Sequence, residues 1–320
     1  MCRFEAISSA LAACLMMLTA ITPTSADPVQ PLYDPPVGSR WTIHSQWRQD
    51  DTRVGKTTTI VVTTTAELKI QEKTPLGFRM TYVMRDLDIQ GDSPQAALSK
   101  ILLKAQIGVV NQATADRNGK PIRIENFPEV RAAYQQGVAD VVAAFAARGQ
   151  PEAAAKVREI LDAGAPRDPE KAAEEMGDLP LLALGQNTLL SSNEVRNGSE
   201  TTSSPFSGEP IDTATALRLI DVDAASGKQT LVRTVTYDPV ALKRHVLDAV
   251  KKLSPAAGEK LDEIATQIST SRVDRTKFTV EHGMTSAVSE DSMQVVNGAG
   301  LTMTKHQVKE ITVTPLQQAP

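Results

Sequence analysis

The sequence predicts an α+β fold in which helices pack on the concave face of a long, curved antiparallel sheet, built as a half-barrel or open sandwich. Long runs of alternating apolar and polar residues predict the strands. Alanine-rich helical patterns stand between them. The order of turns, strands, helices and hairpins recurs in the second half of the chain, which favours an internal duplication.

The composition narrows the classes of function. Of 320 residues, 41% are hydrophobic and 22% charged, as in folded rather than disordered proteins. Only 4% are aromatic, which argues against a site built on stacked rings. The net charge of -4 supplies no basic field for phosphate backbones. We therefore expect no nucleic-acid partner, and at most peripheral contact with a membrane.

The first 26 residues have the pattern of a cleaved secretory signal. Arg3 and Glu5 precede an uncharged apolar run over 6–21, and small residues stand before a cut after Ala26. The run is short for a membrane span, which needs about 20 apolar residues. We therefore expect export to the periplasm or beyond, with an uncleaved anchor as the alternative.

Both cysteines, Cys2 and Cys14, lie within this segment. The exported chain then has no cysteine, which excludes disulfides, thiolate nucleophiles and cysteine–zinc sites there. The residues that end at Cys14 resemble a bacterial lipobox, but the apolar run continues beyond them. This continuation favours a signal peptide over a lipidated Cys14.

Strand patterns follow a lead-in over 27–37 that contains four prolines. From Gly38 the period is 2, with Trp41 and Trp47 on one face, and residues 57–71 alternate more cleanly still. A strand of that length must curve or carry a bulge. In the next run the apolar phase slips between Met84 and Leu87, which predicts a bulge there.

A helix is predicted to open at Ser93-Pro94, with Ser93 as N-cap. A hairpin follows, in which Asn118-Gly119 indicates a type I′ turn. Helical patterns then begin at Pro128, with Val130 and Tyr134 on one apolar face, and at Pro151, and a short acidic helix is predicted over 168–176. This region reads as a helical insertion packed against the sheet.

The second half repeats this outline. Strands are predicted over 187–196, 213–222, 229–238, 272–281, 284–296 and 301–314, with helices over 239–253 and 255–269. Turns are predicted at Asn197-Gly198 and at Ser226-Gly227. The predicted organisation is a signal peptide (1–26), a proline-rich lead-in (27–37), a first sheet half (38–127), a helical insertion (128–178) and a second sheet half (179–320).

Short motifs relate the two halves to a known type of protein. The halves open with the small-residue turns Val37-Gly38-Ser39 and Leu184-Gly185-Gln186, and each contains a hairpin with a charged turn. Over residues 38–314 the outline resembles periplasmic lipoprotein carriers of the half-barrel type, and bacterial envelope proteins with such turns. The resemblance implies a curved sheet that wraps helices around an apolar cavity for acyl chains. The sequence departs from the carriers in lacking an aromatic-rich inner face.

Motifs for catalysis are missing from the exported chain. It contains no G-x-S-x-G, S-x-x-K, phosphate-binding glycine loop or H-E-x-x-H, and its four histidines are scattered. We therefore expect neither an enzyme, nor a cofactor, nor a metal site. An enzyme would draw on Glu281, His282 and Asp274, which lie near each other in sequence.

The remaining candidates lie in the long strands, where adaptable methionine side chains suit variable apolar ligands. Core filling is the alternative role for the same residues. The candidate cavity residues are Met80, Tyr82, Met84, Met284, Met293 and Met303. The sequence thus predicts an exported, non-enzymatic protein that binds or carries an apolar ligand, a lipid or an acylated partner such as a lipoprotein. The alternative is an envelope scaffold protein without a small ligand.

Overall fold

A computed structural model describes residues 32–188, 190–191, 194–204, 209–223, 225–253, 266–298 and 301–316. In this part of the chain the strands are β1 (Arg40–Arg53), β2 (Lys56–Lys73), β3 (Gly77–Gln90), β4 (Val110–Asp116), β5 (Pro121–Ile124), β6 (Val195–Ser203), β7 (Pro210–Asp223), β8 (Lys228–Tyr237), β9 (Ser269–Glu281), β10 (Met284–Gly298) and β11 (Leu301–Pro315). The helices are α1 (Pro94–Lys104), α2 (Phe127–Ala147), α3 (Pro151–Gly164), α4 (Pro169–Glu174), α5 (Leu179–Gly185) and α6 (Pro239–Leu253). None of the described helices is long and apolar enough to cross a membrane.

The strands form one open antiparallel sheet in the order β5-β4-β3-β2-β1-β11-β10-β9-β8-β7-β6. Consecutive strands are neighbours within β1–β5 and within β6–β11, whereas β5 and β6 form the two opposite edges and β1 pairs with β11 at the centre of the sheet. There Trp41 lies opposite Pro315 and Arg53 opposite Met303. The predicted α+β class, a long antiparallel sheet with helices, is confirmed.

Helices cover one face of the sheet, called here the inner face. Alternation sends every second side chain to this face. Residues of β1 and β2 on this face, such as Ile43 and Ile70, are fully buried. The core also includes Met80, Leu231, Phe278, Val280, Val288 and Ile311, each at most 1% exposed. The inner face therefore holds the main hydrophobic core.

The predicted bulge in β3 is present. Met84 pairs with Ala66 and Asp86 pairs with Thr65, so Arg85 is the extra residue. The insertion changes the phase of the alternation and returns Leu87 and Ile89 to the inner face.

Proline stands at the first or second position of each described helix. Its fixed φ suits the first helical turn, where its missing N–H costs no hydrogen bond. Ser93 caps α1 as predicted, and its Oγ accepts a hydrogen bond from the Ala96 amide at 3.1 Å. Asp168 caps α4 in the same way, accepting from the Lys171 amide at 2.7 Å.

Two turn predictions are wrong. Asn197-Gly198 lies inside β6, paired with Ala216 and Thr215 of β7, and the predicted strand over 187–196 is displaced toward the C-terminus. The continuous pairing of β6 with β7 outweighs the local preference of Asn-Gly for a turn. The segment around Leu184 and Gly185 does not open a strand but forms the end of α5.

The turn between β4 and β5 also differs from the predicted type. Only Gly119 has a positive φ, of 73°, whereas a type I′ turn needs two such residues. The Gly119 amide donates to the Asp116 carbonyl at 3.0 Å, and the Asp116 side chain accepts from the Asn118 and Lys120 amides. The aspartate thus stabilises a longer turn with the glycine at its end.

The same order of strands and helices occurs in both halves of the chain. Three strands, a helix and further strands occur twice, with α1 after β3 and α6 after β8. Strands β1–β5 and β6–β10 occupy places in the sheet that differ by six positions. The duplication itself stays a prediction. The predicted signal peptide and most of the helix predicted over 255–269 lie outside the described residues.

Candidate functional site

A cavity of about 590 Å³ lies between the inner face of β1–β3 and the helices above it. Its sheet wall carries Trp47 from β1, Ile60 and Val62 from β2, and Tyr82 and Met84 from β3. These residues share one face because the strands alternate and the register pairs Trp47 with Val62. The sheet wall is thus mainly apolar, with the polar side chains Ser45, Thr64, Asn111 and Lys309 among the apolar ones.

The helix wall is formed by α1, α2 and the segment that follows α3. Leu103, Phe127, Val130, Tyr134, Ala172 and Met176 line it. The predicted apolar stripe of α2 already contained Val130 and Tyr134, but nothing in the sequence marked Met176. The Tyr134 hydroxyl donates to the Leu161 carbonyl at 2.9 Å, which ties α2 to α3.

Gly137 sets how closely α1 and α2 pack. A Cβ at this position would lie 2.8 Å from the Leu102 carbonyl oxygen and 3.1 Å from the Ala105 Cβ. Only glycine fits at such a distance, so the absence of a side chain lets the two helices approach above the cavity.

The link between α4 and α5 forms part of the cavity wall. Gly177, with φ of 56°, lies directly against the Tyr82 hydroxyl, where no side chain would fit. The next residue, Asp178, forms an ion pair of 2.5 Å with Lys309 of β11, and the Asp178 side chain is only 7% exposed. Burial raises the pKa of Tyr82, and the charge of Asp178 raises it further, so the phenol stays neutral.

Three polar groups on the cavity wall have no such partner. The side chains of Arg131 in α2 and of Glu175, just after α4, make no hydrogen bond or ion pair with the described residues. The Gln106 Nε2 is buried and likewise has no hydrogen-bond partner. Burial raises the pKa of Glu175, and the adjacent Glu174 raises it further.

The six candidate cavity residues suggested by the sequence lie in different parts of the structure. Tyr82 and Met84 line the cavity, whereas Met80 is 1% exposed and fills the core. Met284 packs against the edge of the main core and lines a smaller cavity of about 320 Å³ near Trp41. Met303 lies near the start of β11 and is 39% exposed.

Met293 lies on the outer face and is 42% exposed. Its neighbours Ser292 and Gln294 are the buried residues of that stretch of β10. Because the buried side chains there are polar, the apolar pattern of the sequence did not reveal which face of β10 points inward.

The inner face of the second half holds a polar cluster. Asp274, 7% exposed, accepts hydrogen bonds from the Tyr237 hydroxyl at 2.8 Å, from the Arg272 Nε at 2.8 Å and from the Ser292 Oγ at 2.5 Å. The Arg272 guanidinium also lies 5.0 Å from the centre of the Tyr237 ring. The Asp274 carboxylate is thus held by its own neighbours.

The three residues suggested for an enzyme are not brought together. Asp274 lies in the middle of β9, whereas His282 occupies the β9–β10 turn with φ of 50°. Glu281 forms an ion pair of 3.1 Å with Lys228. Among the residues that the structure describes, no group of three or more His, Cys, Asp or Glu side chains is placed to hold a metal ion.

No family model matches the chain, and no curated protein does. Among solved structures, lipovitellin, described for its lipid–protein interactions, is similar over 90% of this chain at 9% identity and a TM-score of 0.45. This chain spans 26% of the lipovitellin chain. An outer membrane channel from Pseudomonas putida F1 is similar over 92% of this chain and 100% of its own, at 10% identity and a TM-score of 0.17. With both TM-scores below 0.5, neither likeness carries a conclusion about function.

Proposed function

We propose that this protein binds or carries an apolar molecule, such as a lipid or the acyl chain of an acylated partner, in the cavity over β1–β3. The observation that carries the proposal is the cavity itself. Its volume of about 590 Å³ falls within the range of roughly 300–1,000 Å³ typical of small-molecule sites. Its walls are mainly apolar, with a few polar groups, which is the usual composition of such sites.

The walls suit a flexible aliphatic guest better than a rigid ring. Met84 and Met176 are unbranched and adapt to irregular shapes. The aromatic side chains lie on different elements, with Trp47 on β1 and Tyr134 on α2, and do not form a stack. An aliphatic guest would supply dispersion contacts that the wall atoms around an unfilled space lack.

The proposed role is binding without chemistry. Asp178 and Lys309 neutralise each other on the cavity wall, and Asp274 is engaged by three donors elsewhere. With the secretory pattern of the first 26 residues, this makes a periplasmic or secreted carrier the function we propose.

Extraction of bound lipid tests the proposal directly. Protein purified from its own compartment, without detergent, is extracted with organic solvent and analysed by mass spectrometry. We expect an aliphatic compound in stoichiometric amount. A clean protein that also fails to take up lipid would contradict the proposal and favour the scaffold alternative.

A substitution within β2 fills the cavity and tests its location. Thr64 lines the cavity, while its neighbour Thr63 points to the outer face. We expect Thr64→Phe to lose the bound lipid and Thr63→Phe, the matched control, to retain it. Equal retention by both variants would place the ligand elsewhere.

A further inference from the structure

The rim of the cavity presents two opposite charges that are not paired with each other. Arg131 is exposed on the first turns of α2, and Glu175 is exposed just beyond the end of α4. No ion pair joins them or engages either side chain with another described residue. At the other charged position of the wall, Asp178 and Lys309 satisfy each other.

An unsatisfied donor lies on the same wall. Gln106, directly after α1, has a buried Nε2 without an acceptor. A buried donor left unpaired is destabilising, so an acceptor supplied by a ligand would recover free energy there. Arg131 and Gln106 together favour a group rich in acceptor oxygens, whereas Glu175 favours a cation.

We propose that the ligand is a zwitterionic amphiphile whose apolar chain fills the cavity and whose headgroup carries both an anion for Arg131 and an ammonium for Glu175. This inference rests on the proposed function. A purely anionic head would pair with Arg131 but be repelled by Glu175. A purely cationic head would pair with Glu175 but be repelled by Arg131. A head of both signs satisfies both groups at once.

Four amphiphiles that share the same tail but differ in headgroup test the inference. Dodecylphosphocholine, laurate, dodecyltrimethylammonium and dodecyl maltoside share a twelve-carbon chain and differ in charge. Affinities are measured by isothermal titration calorimetry below the critical micelle concentration. We expect dodecylphosphocholine to bind tightest, by about threefold to fivefold over the singly charged amphiphiles, the size of an exposed ion pair.

Two single substitutions test separately which side chain binds the anionic group of the ligand and which binds the cationic group. We expect Arg131→Gln to weaken dodecylphosphocholine and laurate but not dodecyltrimethylammonium. Glu175→Gln should weaken dodecylphosphocholine and dodecyltrimethylammonium but not laurate. Arg148→Gln and Glu129→Gln, exposed positions at the two ends of α2 outside the cavity wall, are the matched controls and should leave all four affinities unchanged.

The outcomes separate this inference from the proposed function. Equal affinity for all four heads, or a phosphocholine preference that survives in both rim variants, would overturn the zwitterionic ligand and leave apolar binding intact. Failure of all four amphiphiles to bind would overturn the proposed function and, with it, this inference.

Discussion

The two halves of the inner face are built from the same kind of strand but carry different chemistry. Under α1 and α2 the first half presents Trp47, Val62 and Met84 to a cavity. On the second half, Asp274 and the groups bonded to it form a buried polar cluster. The same sheet geometry therefore supports an open apolar space on one side and a hydrogen-bond network centred on Asp274 on the other.

This difference indicates which half of the inner face offers a ligand the more favourable contacts. In the second half, Asp274 is already bonded to Tyr237, Arg272 and Ser292, so a guest would have to compete with existing bonds. In the first half the apolar walls have space between them, and the polar groups at Gln106, Arg131 and Glu175 are free to meet a guest. The contrast predicts structural residues in one half and binding residues in the other.

The largest effect is expected at Asp274. Asp274→Ala leaves the Tyr237 hydroxyl, the Ser292 hydroxyl and the Arg272 guanidinium without their acceptor. Removing one partner of a buried charged pair costs about 3–5 kcal/mol, and we expect a loss of unfolding free energy of this size. Urea denaturation followed by circular dichroism measures it.

The matched control for that substitution is Asp291→Ala on the outer face of β10. Asp291 is 62% exposed and lies 3.2 Å from His306. Exposed pairs contribute about 0–1 kcal/mol, so the control should lose little. A loss at Asp274 no greater than at Asp291 would mean that the polar cluster does not stabilise the second half.

A pair of methionines compares the core with the cavity wall. Met80 is 1% exposed within the core, so Met80→Ala should cost about 2–5 kcal/mol of unfolding free energy. Met84 is half-buried and already borders open space, so Met84→Ala should cost about 1 kcal/mol or less. Thermal and urea unfolding measure both, and similar losses would show that Met84 packs as core rather than as cavity wall.

A smaller, pH-dependent effect is expected at Glu290, on the inner face opposite Lys309. Burial raises the pKa of Glu290, while the charge of Lys309 opposes this shift. The folded chain then binds more protons than the unfolded chain between the two pKa values, so unfolding free energy falls as pH rises through that interval. Arg272, Asp274 and Arg233 face the same carboxyl.

Glu290→Gln removes this titration. We expect the variant to gain stability relative to the wild type as the pH rises from below the ordinary pKa of glutamate to neutrality. Urea midpoints at several pH values measure the difference. A difference that stays constant across the series would contradict the assignment.

Local patterns in the sequence predicted much of the sheet. Alternation in β2 and the phase slip after Met84 placed the inward residues of the first half, because its buried side chains are apolar. The proline and cap signals at Ser93 and Pro239 placed helix starts, since they act within one turn. The apolar stripe of α2 that includes Val130 and Tyr134 was likewise visible as a local pattern in the sequence.

Local sequence patterns could not predict the pairing of distant strands or the positions of buried polar residues. The pairing of β1 with β11 joins residues such as Gln49 and Gln307, separated by 258 positions, which no local preference encodes. Met293 was misleading because Ser292 and Gln294 occupy the buried positions beside it. The cavity itself depends on the packing distance between α1 and α2, and only Gly137 hints at that distance.

The most direct test of the central claim uses the two tryptophans of the chain. Trp47 lines the cavity, whereas Trp41 lies near the smaller one, so Trp41→Phe leaves a reporter at the proposed site. Titration with dibromostearate, whose bromines quench tryptophan on contact, should quench Trp47 fluorescence saturably at one equivalent, and stearate should not. Adding Thr64→Phe should abolish the quenching. Binding of dibromostearate without quenching of Trp47 would contradict a ligand in this cavity.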